Sequence, residues 1–182
     1  MKTNISVTLD IEDLRTSMSN QDRSKIMSEK VLAIFNQLDI KATIFIVGDV
    51  ATRHPELVKS AVSEGHEIGL HAHEHKPLEF LRPKEFLEKT MISRKQLQEI
   101  SGQPILGYRA PTMSLTFETK WAISMLQEIG FTYSSSVLPA KNPLYGWPGL
   151  PQEPFMWKNS ILEFPCPVTR ILGFDIPYLG GT

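Results

Sequence analysis

The chain has 182 residues, 41% of them hydrophobic and 21% charged, with a formal net charge of −1. That length allows one well-buried core rather than two ordinary domains, and the balanced charge excludes a basic face built for nucleic acid or anionic lipid. No run approaches the length of a membrane span, the N-terminus lacks a signal-peptide core and Cys166 is the only cysteine, so the expectation is a cytoplasmic protein with no disulfide or thiolate metal cluster.

Short β-branched runs alternate with longer segments of helical period, the pattern of repeated β-then-α units around a parallel sheet. Ile5 to Leu9 reads as the first strand and leads into the acidic tetrad Asp10-Ile11-Glu12-Asp13. Met27, Val31, Ile34, Phe35 and Leu38 share a helical face, and Ala42 to Val47 is an almost wholly apolar run suited to a strand buried on both sides. Pro55 opens a helix over Glu56 to Ser63, Gly65 closes it, and Glu67 to Leu70 predicts a strand that delivers His71 at its C-terminal end. From Pro83 a helix carries Phe86, Thr90, Ser93, Leu97 and Ile100 on one stripe and stops at Gly102, before a strand from Ile105 to Tyr108. Ala122, Met125, Leu126 and Ile129 mark a helix closed by Gly130, followed by a strand from Phe131 to Ser135. Five prolines between Pro139 and Pro154 predict a long loop, and Ile161 to Phe164 a sixth strand.

The chemistry is concentrated at strand ends. Asp10, His71, Arg109 and Ser134 all fall at or just past predicted C-terminal strand ends, the edge on which parallel α/β folds place their sites. His71-Ala72-His73-Glu74-His75 offers two imidazoles four residues apart, which meet one ion if the chain turns helically there, with His73 pointing elsewhere. Imidazole and carboxylate together suit a borderline divalent ion such as zinc, and three protein ligands leave a position open. His73-Glu74 begins an HExxH pattern, but Pro77 occupies the second histidine position and excludes the zincin arrangement. A metal-assisted hydrolase needs one carboxylate on the ion and another free to take a proton from water. Asp10 is assigned as base and Glu12 as ligand, with Asp13 the alternative to Glu12. Cys166, between two prolines, reads as a small buried residue, and His54 and His66 as structural.

These residues carry a resemblance. Thr8-Leu9-Asp10, the His71 and His75 pair preceded by Gly65-His66-Glu67-Ile68, and Tyr108-Arg109-Ala110-Pro111 resemble the first three motifs of the NodB-homology polysaccharide deacetylases, carbohydrate esterase family four. Asp-Ile-Glu-Asp is most similar to the branch with an Asp-Val-Glu-Asp motif. The resemblance implies an α/β fold, a distorted (β/α) barrel, and removal of N-acetyl or O-acetyl groups from sugars with one divalent ion, zinc first and cobalt, nickel or manganese as alternatives. It implies Asp10 as base, Glu12 (or Asp13), His71 and His75 as metal ligands, Arg109 steadying Asp10, and the Thr112 backbone N–H at the oxyanion. The implied partner is an acetylated oligo- or polysaccharide.

Departures qualify the match. Ala72 stands where the family usually has Ser or Thr, so the histidine loop must be held another way. Tyr133-Ser134-Ser135-Ser136 replaces the segment that commonly holds a fourth-motif aspartate, and no histidine follows His75 to serve as general acid. The stop at Tyr178-Leu179-Gly180-Gly181-Thr182 reads as a single deacetylase-like domain lacking its last strands, whose open edge a homodimer could cover. Trp147, Trp157 and Tyr145 are candidates for sugar stacking or core packing. A non-catalytic glycan-binding relative and a related metal-dependent amidase are the alternatives to the deacetylase.

Overall fold

A computed structural model describes residues 5–13, 23–158, 161–171 and 174–177. Two units divide the chain: one takes the described residues up to His75 with Ile92–Ile105, the other Lys76–Met91 and the described residues from Leu106 onward.

In the first unit β1 (Thr8–Ile11), β2 (Thr43–Ile46) and β3 (Glu67–Leu70) form a parallel ladder, in which Asp10 is registered with Phe45 and Phe45 with Gly69. Ile44, Phe45 and Ile46 are each 1% exposed, so β2 is covered on both faces, as an unbroken apolar run requires. β1 begins three residues later than the sequence suggests, because its ladder matches the four residues of β2; Ile5 is solvent-exposed and Asp10 lies within the strand. α1 (Arg23–Gln37) also departs from its expected face. Ser28 and Leu32 are buried while Met27, Ile34 and Leu38 are exposed, and Phe35 meets the His66 ring edge-on. α2 (Gly48–Arg53), which sequence pattern alone does not reveal, precedes α3 (Pro55–Ser63). Pro55 sits in the first turn of α3, and Gly65, at φ +82°, reverses the chain into β3 in a conformation that costs glycine nothing. His66 is buried and its Nδ1 accepts the Ala42 N–H at 3.1 Å, which makes it structural. α4 (Pro83–Ser101) buries the expected stripe of Phe86, Thr90, Ser93 and Leu97.

In the second unit β4 (Gly107–Tyr108), β5 (Tyr133–Ser134) and β7 (Leu162–Glu163) run parallel, and β6 (Phe155–Met156) lies antiparallel on β7. α5 (Trp121–Ile129) separates β4 from β5 and ends at Gly130, φ +98°. The ladder segments are shorter than the apolar runs that predict them: residues 105–106 and 131–132 precede the paired residues of β4 and β5, and 161 and 164 flank those of β7. Residues 139–154 form no helix or strand, as their prolines dictate. An unexpected hairpin, β8 (Val168–Ile171) with β9 (Phe174–Pro177), follows, whereas residues 178–182, on which the expectation of missing final strands rests, lie outside the described residues. Tyr108 is fully buried, edge-on to Phe86 and Phe131, and Phe86 is edge-on to Trp121. Cys166 packs with Met113, Leu138 and Ala140; burial pushes its thiol up to about 11, which suits a packing residue better than a nucleophile. No helix among the described residues is long and apolar enough to cross a membrane.

Phe86→Ala is expected to cost about 3–5 kcal/mol in chemical denaturation, because it empties the space between the Tyr108 and Trp121 rings. Met91→Ala, on an exposed position of the same helix, is expected to change stability by no more than about 0.5 kcal/mol.

Candidate metal centre

The parallel ladder of the first unit puts the ends of β1 and β3 on one edge, which brings the acidic tetrad to the histidine loop. Glu12 follows β1, and its Oε2 lies 2.5 Å from His75 Nε2 and 3.3 Å from His71 Nε2. Potential ligand atoms of Glu12, His71 and His75 all lie within 4.8 Å of one another. One carboxylate and two imidazoles at this spacing fit a borderline divalent cation, with protein ligands to spare none and coordination positions left open. Burial raises the Glu12 pKa, but hydrogen bonds and charge interactions with His71 and His75 outweigh it and lower the value to about 2.

Asp10 stands beside this trio, its Oδ2 4.0 Å from His71 Nε2 and its side chain 31% exposed. It is close enough to share a water with the centre and far enough not to be one of the three converging groups. Asp13 takes a different direction: its Oδ2 is 3.5 Å from the Arg53 guanidinium. Of the two carboxylates that the tetrad offers as ligand, Glu12 is the one that meets both imidazoles.

The two histidines do not converge through a helical turn. Residues 73–75 form a bend, and Ala72 adopts φ +63°, a left-handed conformation that costs a residue with a Cβ about 1–2 kcal/mol. The ring centroids of His71 and His75 end up 5.3 Å apart. Opposing that strain, the Gly48 N–H donates to Ala72 O and the Asp49 N–H to His73 O, both at 3.0 Å. Two such bonds, each worth about 0.5–1.5 kcal/mol, are of the size needed to hold the turn. His73 faces away from the trio, with its Nδ1 2.7 Å from Ser93 Oγ on α4. A Cβ at Gly48 would stand 2.6 Å from Ser93 Oγ and 3.3 Å from His73 O, so this glycine is required by close approach. The support that Ala72 cannot give through its side chain therefore comes from Gly48, Asp49 and Ser93, none of which the motifs single out.

Arg109 and Thr112 belong to the second unit. Arg109 follows β4 and is 7% exposed; its Nε donates to Ser135 O at 3.2 Å and its Nη2 to Ser135 Oγ at 2.9 Å. Thr112 is exposed, in a 3-10 turn (Pro111–Met113), with φ +57° and Met113 at φ +54° beside it. Two successive residues in this region turn the backbone sharply just past Pro111. Ser134, at the end of β5, donates to Ser136 Oγ at 2.8 Å. Trp157 donates its indole N–H to Glu163 and packs against Trp147 and Phe155, while the Tyr145 hydroxyl donates to Glu79 at 2.7 Å.

Comparison with known proteins bears on the whole chain. The family model described as polysaccharide deacetylase matches residues 5–134, and one described as a domain of unknown function matches residues 135–182. A peptidoglycan-N-acetylglucosamine deacetylase of Bacillus cereus is 31% identical over 94 residues, which are 51% of this chain and 34% of that protein. A solved structure assigned to the polysaccharide deacetylases, from Mycobacterium smegmatis, aligns with a TM-score of 0.70 at 24% identity, covering 88% of this chain and 57% of the other. A CE4 family pseudoenzyme from Bacillus anthracis aligns with a TM-score of 0.57 at 16% identity, over 71% of this chain and 41% of its own. The two solved structures bear on the fold alone, and the chain spans only part of each relative.

Zinc titration of the purified protein separates the ligands from their supports. Ser93→Ala is expected to weaken binding roughly 10–100-fold, the usual cost of losing a supporting hydrogen bond. Glu12→Gln should weaken it further, whereas Asp13→Asn should leave the affinity at the wild-type value.

Proposed function

Since the chain belongs to the polysaccharide deacetylase family, we propose that it is a hydrolase that removes acetyl groups from the N-acetylated sugars of a polysaccharide or its precursor, with Glu12, His71 and His75 holding one divalent ion, zinc by preference. The observation that carries this reading is the convergence of His71 and His75 on one oxygen of Glu12, with Asp10 Oδ2 4.0 Å from His71 Nε2 beside them. When bound, the cation supplies Lewis acidity toward the acyl oxygen and the attacking water.

Asp10 is the base. Its partly exposed carboxylate takes a proton as the water oxygen bonds to the acetyl carbon. The C–N bond then breaks as the amine nitrogen gains a proton. Asp10, protonated as the water attacks, is the group that returns this proton. Arg109 as the cation that keeps Asp10 ionised, and the Thr112 N–H as oxyanion donor, enter from the resemblance in their motif. Support for Arg109 is its burial and the two fixed bonds to Ser135, which leave its guanidinium little freedom. The substrate class is supported by what the Bacillus cereus relative is named for, a peptidoglycan N-acetylglucosamine deacetylase.

A second reading is a non-catalytic glycan-binding domain. It keeps the converging Glu12, His71 and His75, and it is favoured by Tyr133-Ser134-Ser135-Ser136 standing where the family commonly has a fourth-motif aspartate.

Acetate release from N-acetylglucosamine oligomers by the zinc-loaded protein decides between the two. Asp10→Asn is expected to lower kcat by roughly 10²–10⁴-fold, the range for removal of a general base, with zinc content unchanged. Binding of the oligomers without acetate release by the wild-type protein would leave the glycan-binding reading standing.

A further inference from the structure

Glu163 is the one carboxylate among the described residues with no exposed surface, and the proposed chemistry makes no use of it. It closes β7, in register with Ser134 at the end of β5. Its Oε1 accepts the N–H groups of Ser136 at 2.7 Å and Val137 at 3.1 Å, and its Oε2 accepts the Trp157 indole N–H at 3.2 Å. Burial raises its pKa, while the donors, the Ser136 amide first, then the Trp157 and Ser134 side chains, lower it. Burial prevails and the net direction is upward; the three N–H groups bonded to its two oxygens all donate, so both oxygens serve as acceptors, which an amide in the same place could not reproduce.

The segment that Glu163 binds is the one that holds Arg109. Beyond Ser134 the chain leaves the β4–β5 ladder, and two consecutive N–H groups turn toward one anionic oxygen, a small backbone nest. This bend presents both the carbonyl and the hydroxyl of Ser135 to the Arg109 side chain, and Ser136 Oγ to the Ala110 N–H at 2.8 Å. Serine hydroxyls are weak, rotatable acceptors. They orient a buried guanidinium only if their own backbone is fixed; the Ser135 N–H bond to Tyr108 O at 2.9 Å and the Cys166 N–H bond to Val137 O at 2.8 Å hold its two ends, and the carboxylate holds the Ser136 and Val137 amides between them.

We infer that Glu163 is a positioning residue for Arg109: its buried carboxylate sets the 134–137 segment so that Ser135 fixes the guanidinium and Ser136 fixes the backbone after it. Glu163 lies in the region matched as a domain of unknown function, which thereby gains a part in placing Arg109. The effect on turnover rests on the proposed deacetylase reading; the effect on Arg109 does not.

The test is Glu163→Gln in the full zinc-loaded chain, because glutamine keeps the shape but sets an amide N–H against one of the three donors. Solvent exchange of the Arg109 Nε–H, followed by NMR, is expected to speed up by roughly tenfold or more while the amides of β2 exchange at wild-type rates. With N-acetylglucosamine oligomers, kcat should fall roughly 10–100-fold with KM and zinc affinity unchanged, and Arg109→Ala combined with Glu163→Gln should be no slower than Arg109→Ala alone. An unchanged Arg109 exchange rate in a folded variant overturns the inference, as do additive losses in the double variant. If Glu163→Gln does not fold, Glu163→Asp keeps the charge, withdraws it by one methylene and is held to the same readouts. Failure of both to fold overturns the inference too, since the carboxylate then serves the whole unit rather than Arg109. A wild-type protein that releases no acetate defeats the proposed function, and the exchange measurement still decides the role of Glu163.

Discussion

Two imidazoles meeting one carboxylate oxygen are the contact on which the rest of the first unit depends. His71 is placed by β3 and Glu12 by the end of β1, so the parallel register of β1, β2 and β3 sets the distance between them. His75 has no such strand. It reaches Glu12 only because Ala72 accepts a left-handed backbone and Gly48 and Asp49 hold the turn by their amides. The constraint then spreads outward: position 48 must lack a Cβ, Ser93 must face it from α4, and His73 is drawn off to Ser93 and away from the metal candidates. A loop with three histidines in five residues is thereby given one geometry, with two imidazoles converging and one used as an anchor.

The second unit solves a comparable problem with a different chemistry. A guanidinium that is almost fully buried needs fixed acceptors. Those near Arg109 are the carbonyl and hydroxyl of a serine, held in turn by an anion one strand away. Three successive serines at the end of β5 look featureless in the sequence. In the structure each has a separate duty: Ser134 donates to Ser136, Ser135 accepts from Arg109, and Ser136 accepts from Ala110. Glu163 is the register partner of Ser134, at the end of the neighbouring strand.

How far the sequence could be read depended on the range of the interaction concerned. β2, β3, α3, α4 and α5 were legible because an apolar run, a proline at a first turn or a glycine past a last turn acts over a few residues. The face of α1 was misread, since periodicity marks where apolar residues lie and not which of them the sheet covers; Ser28 is buried and Ile34 is not. β1 was misplaced because its limits are set by pairing with β2. The ligand set was partly legible, with His71 and His75 named by spacing and Glu12 and Asp13 left as alternatives. Spacing could not tell these two apart, as the difference lies in Arg53, forty residues on, which faces Asp13.

The sequence by itself determined the alternating α/β architecture, the strand ends that carry the polar residues and the residue types able to hold a cation, because period, turn chemistry and donor type are local properties. Only the tertiary structure decided which carboxylate meets the histidines, how Ala72 is compensated and what fixes Arg109. Those outcomes belong to Gly48, Ser93, Ser135 and Glu163, whose roles are contacts made across 20 residues or more and leave no local signature.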